Sequence, residues 1–383
     1  MPDLAANMND PVGGFQIQGK MMRYNLFMPR LYNWCLSLGF EPGKIMPSRA
    51  FCSDESQGYP IIMIAKHFGT FPFNHGLVGG IVATDRHAPH ADHGENLVII
   101  QASHVGYDPE TKKFGTYRRL QTTNQDCGPN CGKIHQVNTW YQDEYHFAQQ
   151  NILLHTVNGQ ACVIVDNQLL RDDRDEGLFL RLEKLFQTDN EGQRSPVNIL
   201  STAQVFTAAT SIVDKIGKQA FSNNQPQRIG DALQADMFYF KRNTLEMGEG
   251  AHHLEHNLIR YMPQIITSPS PMLMAAQINS QIEFDRTFRT LVKEHAYRGK
   301  KVLFISGLHI DISPQAGQLF PLTKFVPWAA SLLERDGSFS TLEQNELAQI
   351  LVQQSTDNPH QIDLEAAIKV MTEAKEIKVE LNT

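Results

Sequence analysis

Cysteine is scarce in this chain. Five residues (Cys35, Cys52, Cys127, Cys131, Cys162) among 383 are too few and too scattered for a secreted disulfide scaffold, so a reducing cytoplasmic location is expected. Long apolar runs are also missing: no stretch approaches the ~20 residues that span a bilayer, and no membrane association is expected. Met1 to Gly14 holds Asp3, Asp10 and Pro11 and no basic residue, which argues against a signal or transit peptide. Basic clusters are lacking. Lys and Arg number 34 against 41 Asp and Glu, a net charge of −7, and basic runs are short, such as Lys112-Lys113 and Arg118-Arg119. A nucleic-acid groove needs a clustered cationic field, so no nucleic-acid partner is expected. No internal repeat or low-complexity tract is visible. What remains, 41% hydrophobic and 20% charged residues, suffices for a sizeable core and carries too little charge for disorder.

The apolar patterning predicts an α/β fold, a mostly parallel sheet flanked by helices. From Lys20 to Leu38 apolar residues recur at helical spacing (Met21, Tyr24, Leu26, Leu31, Trp34, Leu38) until Gly39, with Pro29 expected to interrupt or kink the helix. Ile61–Ile64, Leu97–Ile100, Ala161–Val165 and Lys301–Ile305 lack polar alternation, as strands covered on both faces do. Residues 1–50 read as a helical lead-in and 51–335 as the core, including a mostly helical insertion at about 190–295. Residues 336–383 read as a helical tail, with a capping box at Ser340-Thr341-Leu342-Glu343 and Asp363 capping a final helix.

Three constellations carry chemistry. The first is Cys52-Ser53-Asp54, then Ser103-His104-Val105-Gly106, then Cys127-Gly128-Pro129-Asn130-Cys131-Gly132. His104 closely follows a buried strand, and in open parallel sheets the carboxyl ends of strands gather site residues. A Cys opening a helix has its thiolate favoured by the helix dipole. Two thiolates and one imidazole leave Zn²⁺ one open position. The second is His252-His253-Leu254-Glu255-His256, which contains the His-x-x-Glu-His pattern of some zinc peptidases with Glu255 as general base. An exposed polar helix is the plainer reading of it. The third, Arg86 to His93, places His87, His90 and His93 at every third position, a pattern that could scavenge a transition metal, with a solvated loop the plainer reading. Gly76-Leu77-Val78-Gly79-Gly80 matches no phosphate-binding pattern, and close backbone approach explains its glycines better.

Cys52-Ser53-Asp54 resembles the metal-binding Cys/Asp motif of β-type carbonic anhydrases. Phe68-Gly69 through Gly76-Leu77-Val78-Gly79, His87-Ala88-Pro89, Ser103 to Tyr107, the late Cys-Gly and Gly307-Leu308-His309-Ile310-Asp311 are together similar to the limiting-CO2-inducible B/C family, θ-class carbonic anhydrases of β-carbonic-anhydrase-like fold. The match covers roughly residues 20–165 and 295–330. It implies a zinc carbonic anhydrase that hydrates CO2 reversibly to bicarbonate through zinc-bound hydroxide, and a homodimer. Carried over, the zinc ligands fall on Cys52, His104 and one of Cys127 or Cys131. Cys131 is preferred, because Gly132-Lys133-Ile134 continues into a helix. The resemblance also gives Asp54 the role of orienting the nucleophile. β-Type enzymes carry an Arg two positions after that Asp, where this chain has Ser56; Arg86, Arg118 or Arg119 would have to replace it, with Arg118 the candidate the family suggests. A catalytically silent protein of the same fold, acting as a bicarbonate or assembly partner, is the alternative raised by that departure.

Overall fold

The computed structural model describes residues 14–83, 94–119, 127–166, 176–181, 183–188, 190–199, 204–222, 224–243, 251–318 and 320–375. The proposed His87/His90/His93 loop, with Arg86, lies outside them.

The main sheet is mixed, with a parallel centre. Among its eight strands are β1 (Met22–Arg23), β2 (Ile45–Ala50), β3 (Phe73–Asn74), β4 (Asn96–Asp108), β5 (Lys301–Ile312), β6 (Leu322–Leu333) and β7 (Phe339–Leu342), in the order β1-β6-β5-β4-β2-β3, with β7 on β6 and the two-residue strand Lys113–Phe114 on β4. β4 runs parallel to β2 and to β5, whereas β6 is antiparallel to β1, β5 and β7. Leu97–Ile100 explains why β4 is central. Leu97 and Ile99 pack into one core cluster and Val98 and Ile100 into another, so the strand is covered on both faces. Each such side chain contributes about 1.5–3 kcal/mol of burial.

One face is covered by helices α1 (Tyr24–Ser37) and α2 (Gly58–Phe68), the other by α3 (Gly132–Asn151), α4 (Ala251–Leu258) and α5 (Pro271–Lys293). α1 runs through Pro29 without a break. Ile61–Ile64, expected as a strand, belongs to α2: Met63, Ile64, His67 and Phe68 are buried while Ile62 is exposed, a 3.6-residue period, and Gly69 ends the helix at φ 75°. Ala161–Val165 is a strand, but not of the main sheet. It lies in Gln160–Val165, which pairs antiparallel with Ile152–Val157 through an Asn158-Gly159 turn, both residues at positive φ.

The segment expected to be mostly helical is so only in its second half, 251–293. Between 177 and 241 short strands dominate: Gly177–Leu180 pairs with Phe238–Lys241, Phe186–Thr188 with Arg194–Pro196, and Gln204–Thr207 extends the small sheet of Gln160–Val165. Ser340–Leu342 forms part of β7 rather than a capping box, and the next helix, α6 (Gln344–Gln353), starts one residue after Glu343. Asp363 does cap α7 (Leu364–Glu373), accepting from the backbone N–H of Glu365 and Ala366 at 3.0 and 3.1 Å. No helix of the described residues is long and apolar enough to cross a membrane.

The C-terminal segment is held on α2 through His67. Asn358 Nδ2 donates to His67 Nδ1 (3.2 Å) and to its carbonyl (3.1 Å), and the Ile362 N–H donates to the Lys66 carbonyl. Accepting at Nδ1 requires a lone pair there, and burial, aided by the Lys66 charge, pushes the His67 pKa down to about 4. A group whose folded pKa lies below its unfolded value of about 6.5 stabilises the fold above that value and loses this contribution as pH falls toward 4. His67→Gln is therefore expected to flatten the pH dependence of the urea midpoint between pH 6.5 and 4; an unchanged slope would assign the acid sensitivity elsewhere.

Candidate metal centre

β2 ends at Ala50, and the chain turns at the carboxyl rim of the sheet through Phe51 and Cys52. Asp54 caps the short turn Glu55–Gln57 that leads into α2. β4 brings His104 to the same rim, and Cys131 is the N-cap of α3. The Gly106 N–H donates to the carbonyl of Asn130 at 2.9 Å, which fixes the start of α3 against β4 two residues beyond His104.

Three donors consequently converge. The Cys52 and Cys131 sulfurs are 3.8 Å apart, and with one ring nitrogen of His104 the ligand atoms lie within 4.8 Å of one another. All three residues are buried, and no other such group occurs among the described residues. Cys127 is elsewhere: exposed, in the short strand Cys127–Pro129, opposite Arg118 of the strand Thr116–Arg118.

His104 Nδ1 meets Asp311 Oδ2 at 2.8 Å, which leaves Nε2 for the sulfurs; Nε2 is buried and has no hydrogen-bond partner. The Cys131 thiol, opposed by burial and helped by His104, pulls the Cys52 pKa down to about 4, while the Cys131 pKa rises through that same bond and burial. Burial works against a charged His104, but the Cys131 charge and the Asp311 bond outweigh it and raise its pKa. The glycine loop adds a further donor, the Gly79 N–H, 3.3 Å from Cys52 Sγ. Gly79 and Gly80 both have positive φ, and a Cβ on Gly80 would strike the Ala102 carbonyl. The donor set fits zinc: two sulfurs, one imidazole whose other nitrogen is fixed by a carboxylate, and an unpartnered buried nitrogen aimed at the sulfurs.

Asp311 is the residue that sequence reasoning missed. It is fully buried and accepts from His104 Nδ1, Ser56 Oγ (2.9 Å) and Gln57 Nε2 (2.9 Å) at Oδ2, and from Thr323 Oγ1 (3.0 Å) at Oδ1. An acidic residue in a strand whose other residues are mostly apolar and buried was the available signal. His309, in register with His104, donates from Nδ1 to Gln57 Oε1 (2.6 Å), and burial followed by the His104 charge lowers its pKa. Ser56, at the position of the β-type arginine, is thus an Asp311 donor.

Asp54 is not among the converging atoms. Its Oδ1 accepts from the Ser56 N–H (3.1 Å) and Asn130 Nδ2 (3.2 Å), and its Oδ2 lies 3.5 Å from Arg119 Nη2. Burial raises its pKa, but the His104 charge and the Ser56 N–H more than compensate, so it falls below the usual carboxylate value. The expected partner Arg118 pairs instead with Glu110 at 2.6 Å; the guanidinium at Asp54 belongs to Arg119, which also binds Glu55. Arg118 is the last residue of the strand Thr116–Arg118, and Arg119 follows it outside the strand.

The His252-x-x-Glu255-His256 reading is corrected. Glu255 is buried and accepts from the Tyr141 hydroxyl at 2.5 Å, with Arg242 at 3.4 Å, whereas His256 is exposed. Its carboxylate braces α4 against α3 rather than facing a metal.

No protein-family model and no curated protein matches the chain. Solved structures do. A point mutant of PtLCIB4, a homologue of the limiting CO2-inducible protein LCIB, aligns at TM-score 0.48 and 11% identity over 84% of this chain and 93% of its own. PtLCIB4 itself aligns at 0.47 and 12% over 89% and 99%, and LCIB at 0.44 and 11% over 85% and 96%. Structural neighbours of this chain over most of its length are therefore LCIB and LCIB homologues, at low sequence identity.

Proposed function

We propose that the chain is a zinc carbonic anhydrase, with Cys52, His104 and Cys131 holding the metal, on the strength of one observation: two sulfurs and an oriented imidazole buried together at the sheet rim. A zinc ion bound there lowers the pKa of a coordinated water toward ~7 and so supplies a nucleophile for CO2 at neutral pH. The protein groups do the remainder. Asp311 holds the His104 ring with Nε2 as the free lone pair. Cys131 gives up its proton when metal enters, because only a thiolate ligates. Asp54 would accept a hydrogen bond from water at the open position and so orient it. Arg119, with Asn130 and the Ser56 N–H, keeps that carboxylate ionised and turned from the ligands, the role that the Arg two positions on has in β-type enzymes. The motif order shared with the limiting-CO2-inducible family supports CO2 and bicarbonate as the substrate pair.

Stopped-flow CO2 hydration with zinc-replete protein tests this. Turnover above that of the metal-free protein is expected. Arg119→Gln is expected to lower it about tenfold or more with zinc content unchanged, because an Asp54 without its cation competes for the open position, and Arg119→Lys to restore part of it. Zinc-loaded protein without turnover would favour the silent alternative, which Ser56 motivates.

A further inference from the structure

Two of the three converging donors are tied to one side chain that touches neither. Asn279, in the middle of α5, is fully buried. Its Nδ2 donates to the Gly79 carbonyl at 3.1 Å and to Ser103 Oγ at 2.8 Å. Gly79 is the residue whose N–H meets Cys52 Sγ, and Ser103 precedes His104. The next residue, Ser280, accepts from the Ser103 N–H (3.2 Å) and donates to the Gly307 carbonyl (2.7 Å), binding α5 across β4 and β5.

Asn279 is itself held. Its Oδ1 accepts from Asn257 Nδ2 (2.9 Å), which also donates to Glu283 Oε1 (2.8 Å). Glu283 Oε2 accepts the Val82 N–H at 2.7 Å, so the chain is held by this network both at Gly79 and just after the glycine loop. Leu254 of α4 completes the wall, with side-chain carbons 3.0 and 3.2 Å from where a Gly79 Cβ would stand. The segment 251–293 thus forms the back of the site.

We propose that Asn279 is a positioning residue that couples the Cys52 loop to the His104 strand and sets the separation of those two donors. The inference rests on the zinc reading for its consequence and on this bonding alone for its geometry. Asn279→Asp keeps the shape and the acceptor toward Asn257 but offers no donor to Gly79 or Ser103. The loop 78–80 then loses its tie, Cys52 loses the Gly79 N–H, and a metal meets donors that must be reassembled.

Two readouts test it on the full chain. In metal-free reduced protein, site-resolved iodoacetamide labelling is expected to rise about tenfold or more at Cys52 in Asn279→Asp, but not at Cys35, a buried thiol in α1 away from the loop. In competition titrations, zinc affinity is expected to fall by about 10–100-fold, and the cobalt(II) thiolate absorption to shift. Phe284→Leu, a core change on the same helix, controls for stability, and Asn279→Ala serves if the aspartate variant fails to fold. Cys52 and Cys35 labelling that rise together, or a folded variant with wild-type labelling and wild-type affinity, would overturn the proposal. Wild-type protein that holds no zinc, beside selective Cys52 labelling in the variant, would remove the zinc reading and leave the positioning role standing.

Discussion

Asp311→Leu is expected to destabilise the metal-free protein by about 3–5 kcal/mol, the usual cost of removing one partner from a buried charged cluster. The carboxylate accepts from four buried donors, His104 Nδ1, Ser56 Oγ, Gln57 Nε2 and Thr323 Oγ1. A leucine fills the space and satisfies none of them, and each orphaned donor retains its desolvation penalty of about 1–3 kcal/mol. Asp311→Asn separates shape from charge. Its carbonyl can still receive the three donors at Oδ2, and Thr323 can rotate its hydroxyl to accept from the new amide. The Asn variant should therefore stay within about 1–2 kcal/mol of wild type while its zinc affinity falls about 10–100-fold, since a neutral amide makes the His104 imidazole a weaker ligand. Urea denaturation without metal measures the first effect and chelator competition the second. Equal stability of the Leu variant and wild type would show that the four donors find other partners.

What the sequence disclosed and what it hid divide along the range of the interactions. Leu97–Ile100 announced a strand buried on both faces because the pattern is local, and Asp363 announced a helix start because a cap acts within three residues. The order Cys52, His104 and then Cys127 or Cys131 was readable as chemistry, although nothing local says that the donors meet; that follows from two neighbouring parallel strands and one helix start. Ile61–Ile64 failed for a local reason, since a four-residue apolar run looks alike in a buried helix and a buried strand, and only Gly69 and the exposed Ile62 separate the two. Of the arginines that the sequence left open beside Asp54, Arg119 lies at its carboxylate and Arg118 at Glu110, a choice that only the fold makes. Asp311 and Asn279 were hidden for a different reason. Asp311 lies 207 residues from His104 and Asn279 lies 176 residues from Ser103. Polar residues in an apolar strand or helix signal a buried network without naming its members. Glu255 shows the converse hazard: a metal-like spacing whose residues form no converging group, the Glu255 Oε1 atom instead accepting from Tyr141.

Cys131→Ser is expected to abolish zinc retention, and Cys127→Ser to leave it intact, although the two cysteines stand four residues apart and both precede a glycine. Wild-type protein refolded with zinc under reducing conditions should retain about one ion per chain after dialysis, as a three-ligand site with one exchangeable position does. A serine hydroxyl at 131 remains protonated at neutral pH and is a poor ligand, so the site is left with one thiolate and one imidazole. Structural zinc sites hold their ion with about 10–16 kcal/mol shared among four ligands, so loss of one should weaken retention by several orders of magnitude. Cys127 has no such part. It is exposed on a two-stranded ribbon opposite Arg118, whereas the Cys131 sulfur sits 3.8 Å from that of Cys52 inside the core. The thermal midpoint gives an independent check. A ligand that binds only the folded state at 1,000 times its Kd adds about 4 kcal/mol, so zinc should raise the midpoint of wild type and of Cys127→Ser and leave that of Cys131→Ser unmoved. The opposite ranking, with zinc lost on changing Cys127, would mean that the ribbon rearranges on metal binding and that α3 does not begin on a ligand. Equal zinc in both variants would mean that Cys52 and His104 hold the ion with some third group, and the proposed role of Cys131 would fall while those of the other two stood.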